Sequence, residues 1–166
     1  MNKPDLIGSE DKALDVLLEV FKDESEFSLP INIGKIVEKL GLTVEEKALP
    51  EDAIGSYEQS TKTISVSKDY PYRLTVFTIA HEIGHFVLHA DKSQETFYRK
   101  DLINVDKEAV PQEKEANCFA AALLMPKGVV LRKFEQTKEV DILYKLFGVS
   151  PSAMRLRLKN LGLFVE

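Results

Sequence analysis

The segment from Tyr72 to His89 is apolar on nearly every face, through Leu74, Val76, Phe77, Ile79, Ile83, Phe86, Val87 and Leu88, and it also carries all three histidines of the chain. Pro71 is placed to start a helix there, and a helix without a polar face has to be wrapped by the rest of the fold. The wrapping must also satisfy the helix's polar side chains, because each buried group left without a partner costs about 1 to 3 kcal/mol. Among those side chains are two histidines and a glutamate, His81, His85 and Glu82. His81-Glu82-Ile83-Gly84-His85 reads H-E-x-x-H, and residues four apart on a helix share a face, roughly 6 Å apart along the axis. Two imidazoles can then reach one cation with a carboxylate beside it, the pattern of a zinc hydrolase.

A catalytic zinc takes three protein ligands and leaves a fourth position for water. His89 stands about 12 Å along the axis from His81, too far to share the ion easily, so the third ligand is expected to be a carboxylate or Cys118. The metzincin extension is missing, with Leu88 and Asp91 where glycine and histidine would stand. The best source is an Ala-rich helix predicted from Gln112 to Met125 and ended by Pro126. Its alanines at 116, 120, 121 and 122 permit close approach of a neighbouring helix. Glu115 shares a face with Phe119 and Ala122 and is the expected ligand. Glu113 lies about 160° away and reads as a solvated first-turn carboxylate. Cys118 reads as a small buried side chain.

Two blocks carry a family resemblance. They are Phe77-Thr78-Ile79-Ala80-His81-Glu82-Ile83-Gly84-His85-Phe86-Val87-Leu88-His89 and Glu113-Lys114-Glu115-Ala116-Asn117-Cys118-Phe119-Ala120-Ala121-Ala122-Leu123-Leu124-Met125-Pro126. In them the chain resembles the ImmA/IrrE-type metallopeptidases, from about Pro30 to the end, with the first helix outside the likeness. The resemblance implies a compact, gluzincin-like zincin fold with His81, His85 and Glu115 as metal ligands and Glu82 as catalytic base. It also implies a selective protease that cuts a partner protein, often a helix-turn-helix repressor encoded nearby. Zinc is the expected cofactor, and manganese or iron also suits a His/His/Glu set. For an oxyanion donor, Tyr98, Arg99 and His89 are the candidates. His89 is otherwise read as a helix-ending residue that caps carbonyls.

The remaining chain predicts an α+β fold. Helices are expected from Ser9, as N-cap, to about Asp23 and from Ile33 to Leu40, with strands near 42–45, 53–58 and 62–67. The last two form an antiparallel hairpin, and the strand at 63–67 is a candidate exposed edge for an extended peptide. The composition from Asp91 to Pro111 suggests a long exposed connection. Further helices are expected at 127–135, 139–147 and 151–161. The division expected is a metallopeptidase domain over residues 1–136 and a helical, helix-turn-helix-like subregion over 137–166.

That tail is basic at Lys145, Arg155, Arg157 and Lys159, but only Arg155 and Lys159 share a face, while Met154, Leu158 and Leu161 repeat as a core stripe. Packing or protein docking is favoured over DNA binding, in keeping with a net charge of -5 and a pI near 5.3. One cysteine allows no internal disulfide, and neither a secretory core nor a membrane-length apolar run is present, so a cytoplasmic location is expected. The alternative to a peptidase is a regulatory DNA-binding or docking module whose zincin-like domain binds metal without catalysis.

Overall fold

The computed structural model describes residues 3–50, 52–90, 96–99 and 110–163. The expected central helix is α3, Tyr72–Leu88, with Pro71 as its N-cap residue. Around it stand α1 (Leu6–Phe21), α2 (Ile33–Lys39), α4 (Pro111–Leu124), α5 (Lys127–Gln136), α6 (Val140–Phe147) and α7 (Pro151–Asn160). The strands are β1 (Thr43–Lys47), β2 (Ala53–Glu58), β3 (Thr63–Ser67) and β4 (Thr96–Arg99). The fold is α+β, as the order of patterns predicts.

The sheet runs β1-β3-β2-β4, with β1 parallel to β3 and the other pairings antiparallel. β3 is therefore internal, and the expectation that it offers an exposed edge is wrong. The β2–β3 hairpin formed as predicted, but β1 arrives through α2 and pairs on the far side of β3, which the local pattern did not reveal. Within the stretch expected to be one long connection, residues 96–99 form β4; the rest of 91–109 lies outside the described residues.

β2 and β3 lie against one side of α3. Tyr57 pairs with Ile64 and Gly55 with Val66 in the register, and strand alternation puts these four on one face. Tyr57 meets Phe86 of α3 edge-on, with ring centroids 5.9 Å apart. Gly55 is required here, since a Cβ at that position would run into the Thr78 methyl and approach Glu82 Oε1 to 3.4 Å. The opposite side of α3 is covered by α4. Gly84 and Ala116 mark the crossing, where a Cβ on Gly84 would lie 3.1 Å from Ala116 Cα and 3.2 Å from its carbonyl oxygen. The small residues of the Ala-rich helix thus do what was expected of them.

α1 covers the other flank of α4, which is consequently buried on two faces. α1 begins earlier than predicted: Asp5 is its N-cap and accepts Gly8 N–H at 2.8 Å, while Ser9 sits inside the helix and donates to Asp5 O at 2.6 Å. The core runs without a break from Ala13 and Leu17 through Ile83, Phe119 and Leu123 to Leu143, Met154 and Leu158. In the tail, Gly148 takes a left-handed conformation (φ 66°) after α6, and Ser150 caps α7 by accepting Ala153 N–H. Arg157, expected among the basic residues of that tail, is buried instead and donates to Met125 O at 3.0 Å and Glu10 Oε1 at 2.6 Å.

Candidate metal centre

α3 holds His81, Glu82 and His85 in the core: the first two are fully buried and His85 is 6% exposed. The four-residue spacing puts His81 Nε2 and His85 Nε2 3.0 Å apart. Glu113, on the first turn of α4, faces both. Its Oε2 is 3.0 Å from His81 Nε2 and its Oε1 is 3.1 Å from His85 Nε2. Among the described residues these three form a group whose ligand atoms all lie within 4.8 Å of one another.

Glu115 does not join that group. Its Oε2 is 2.8 Å from His89 Nε2, and its Oε1 accepts the backbone N–H of Asp5 at 2.8 Å. The expectation of Glu115 beside the histidine pair is therefore corrected, and Glu113 is not a solvated carboxylate but is only 13% exposed. The cause is the double burial of α4. Ala116, Asn117, Phe119, Ala120 and Ala122 are all buried, so burial periodicity alone could not choose between the glutamates. The face of closest approach was the informative one: Ala116 lies against Gly84, and Glu113 is the residue one turn before it.

His89 is the residue that follows α3, and its ring reaches two side chains. Its Nδ1 lies 3.0 Å from His85 Nδ1 and its Nε2 meets Glu115. The side chains of Tyr98 and Arg99, the other two oxyanion candidates, lie outside the described residues. Cys118 is turned away from the histidines and donates to Leu6 O at 3.3 Å. Asn117, which the sequence left without a role, places Oδ1 2.8 Å from His81 Nδ1.

These contacts suit a cation. With the Nδ1 proton of His81 donated to Asn117, the neutral ring directs its Nε2 lone pair inward. There it meets the Nε2 of His85 and the carboxylate of Glu113, so acceptor atoms converge with too few protons between them. Among the described residues, the buried Glu113 Oε2 has no well-aligned hydrogen bond despite its 3.0 Å distance from His81 Nε2. A divalent ion coordinated by two imidazoles and a carboxylate relieves that arrangement, so the residues present fit the group.

Electrostatics separate the two carboxylates. Burial and then the nearby charge of Glu113 push the Glu82 carboxyl well above its ordinary range. Burial also acts to raise Glu113, but the close approach of His81 and His85 outweighs it and holds this carboxyl below the usual range. His81 is lowered, chiefly by burial. Both oxygens of Glu82 are buried with no hydrogen-bond partner among the described residues.

The chain is similar to several known proteins. A peptidase family model, described as the IrrE N-terminal-like domain, matches residues 37–159. An uncharacterized immunity region protein of Bacillus phage phi105 is 30% identical over 108 residues, which are 63% of this chain and 66% of the phage protein. A Mycobacterium tuberculosis transcriptional regulator shares the fold with a TM-score of 0.60 at 20% identity, over 93% of this chain and 46% of the regulator. The chain thus spans just under two thirds of the phage relative and less than half of the regulator. Since the family model covers the sheet, the H-E-x-x-H helix and α4 through most of α7, this chain belongs to the IrrE N-terminal-like domain family of peptidases.

Proposed function

We propose that the chain is a metal-dependent endopeptidase in which His81, His85 and Glu113 hold a divalent cation, zinc in the first instance, and Glu82 moves the proton. The observation that carries this reading is the buried Glu82 carboxylate, without a hydrogen-bond partner among the described residues, on the same helix as the converging His81 and His85. Leaving two carboxylate oxygens unsatisfied in a core is costly, and a catalytic role explains why such a residue is there.

A cation bound at this site supplies Lewis acidity toward a water molecule and toward a substrate carbonyl. The protein's own groups do the rest. Glu82, with its affinity for a proton raised by burial, accepts one from the attacking water and passes it to the leaving amine, because amide cleavage needs a base early and an acid late. Asn117 fixes the tautomer of His81. Gly55 lets β2 pass close to Glu82, which limits the carboxylate's freedom on the sheet side.

A role in gene control is supported by the two similar proteins, one described as an immunity region protein and the other as a transcriptional regulator. The substrate we infer is a helix-turn-helix repressor encoded nearby. A non-catalytic DNA-binding module is the rival. It receives little support from α7, where Arg157 is spent on Met125 O and Glu10 and Met154 and Leu158 are buried. No helix among the described residues is long and apolar enough to cross a membrane.

The test is incubation of the purified chain with neighbouring gene products, with and without chelator. A discrete fragment that disappears on chelation and in Glu82→Gln, while that variant keeps its metal, is the expected result. Cleavage that survives Glu82→Gln contradicts the assignment.

A further inference from the structure

A second line of polar contacts runs outward from the buried His85 to the surface. His85 Nδ1 is 3.0 Å from His89 Nδ1, His89 Nε2 is 2.8 Å from Glu115 Oε2, and Glu115 Oε1 accepts Asp5 N–H at 2.8 Å. We propose that His89 and Glu115 are positioning residues for the cation site: they fix His85 as the Nδ1–H tautomer and so aim its Nε2 lone pair at the cation. The proposal rests on reading His81, His85 and Glu113 as the metal site.

The argument starts from the outermost group. A carboxylate only accepts, so Glu115 at 2.8 Å requires a proton on His89 Nε2. A neutral His89 protonated at Nε2 has a bare Nδ1, which can only accept. The 3.0 Å contact between the two Nδ1 atoms then needs its proton from His85, and His85 protonated at Nδ1 presents a lone pair at Nε2. The opposite order would need either a bare His89 nitrogen against a carboxylate or a second proton on His89, and in both cases a neutral His85 would direct its N–H at the position a cation must occupy. Glu115 therefore selects the tautomer of a ligand two contacts away.

The line also makes His85 a better ligand. Hydrogen bonding of a ligand imidazole's remote N–H raises the basicity of the metal-facing nitrogen, and removing such outer partners typically costs about 10- to 100-fold in metal affinity. The two histidines differ in this respect: His81 donates to a neutral amide, whereas His85 donates into a chain that ends on a carboxylate. That carboxylate is oriented by the N-cap residue of α1, a helix that precedes the residues matched to the family.

Zinc affinity of the full chain, measured by competition with a chromophoric chelator, tests the proposal together with imidazole 15N spectra of the metal-free protein. His89→Leu is expected to bind one equivalent of zinc about 10- to 100-fold more weakly. His89→Asn is expected to recover most of that loss, since its Oδ1 can replace the accepting Nδ1. The metal-free wild type should show His85 protonated at Nδ1. Unchanged affinity in His89→Leu, or a His85 proton at Nε2 in the wild type, overturns the proposal while leaving the metal site standing. A wild-type chain that binds no zinc overturns both readings. Should His89→Leu fail to fold, the wild-type spectrum still decides.

Discussion

Replacing Gly84 by alanine tests how α3 and α4 are held together. In an exposed helix interior this substitution stabilises by about 1 kcal/mol through propensity alone. Here the added Cβ would lie 3.1 Å from Ala116 Cα, 3.2 Å from Ala116 O and 3.2 Å from Phe119 Cδ1. Comfortable carbon contacts are about 3.5 to 4.0 Å, and two of these neighbours are backbone atoms that no rotamer change can move. Nor can α4 retreat freely, because α1 holds its other side through Asp5 N–H to Glu115 and Cys118 to Leu6 O. Overpacking of this kind costs about 1 to 3 kcal/mol. Set against the propensity gain, the net destabilisation is between zero and about 2 kcal/mol, and for a chain of this size each kcal/mol lowers the melting temperature by about 2 to 4 °C. Any shift of α4 also carries Glu113, one turn before Ala116, so zinc affinity should fall as well. Thermal melts followed by far-UV circular dichroism in chelator, with a parallel zinc competition, measure both. A variant that melts higher than the wild type and binds zinc equally well would refute the close-crossing argument.

Other expectations follow from buried groups. Glu82 binds its proton more tightly in the folded chain than in the unfolded one, so in chelator the native state loses stability as pH rises from the ordinary carboxyl range, about 4.3, toward the raised value. Glu82→Gln lacks that penalty, and urea midpoints should show its advantage over the wild type widening with pH; a constant gap would count against it. Arg157→Ala should cost about 1 to 3 kcal/mol by depriving Met125 O of its donor, with only a small contribution from Glu10, whose side chain is 32% exposed and can turn to water. A chemical melt within error of the wild type would be inconsistent with this. The Cys118 thiol, pushed up to about 11 by burial and by the charge of Glu10, should be about one part in a thousand thiolate at pH 8, so alkylation should be slow and should accelerate up to about pH 11. Rapid labelling at neutral pH would show it to be accessible.

The sequence disclosed those features whose cause is local. Apolar residues on every face of 72–89 foretold a buried helix, Pro71 and Pro126 marked boundaries, and Gly148 and Ser150 marked the turn and cap between α6 and α7. Relations between distant segments were harder. Nothing in residues 43–47 says that they pair parallel to β3, which made β3 seem an edge. The glutamates of α4 posed the same difficulty: both lie above packed faces, and only the contact of Ala116 with Gly84 shows which face meets the histidines. His89 looked like a terminal cap because its partner Glu115 is 26 residues further on. Asn117 gave no signal until His81 was placed beside it.

The central claim is one cation shared between α3 and the start of α4. Anomalous diffraction at the zinc edge from crystals of the zinc-loaded chain addresses it directly. One strong peak within coordination distance of His81 Nε2, His85 Nε2 and a Glu113 oxygen is predicted, with His89 and Glu115 bonded to each other behind it. A peak coordinated by Glu115 in place of Glu113, or none at these imidazoles, would contradict it.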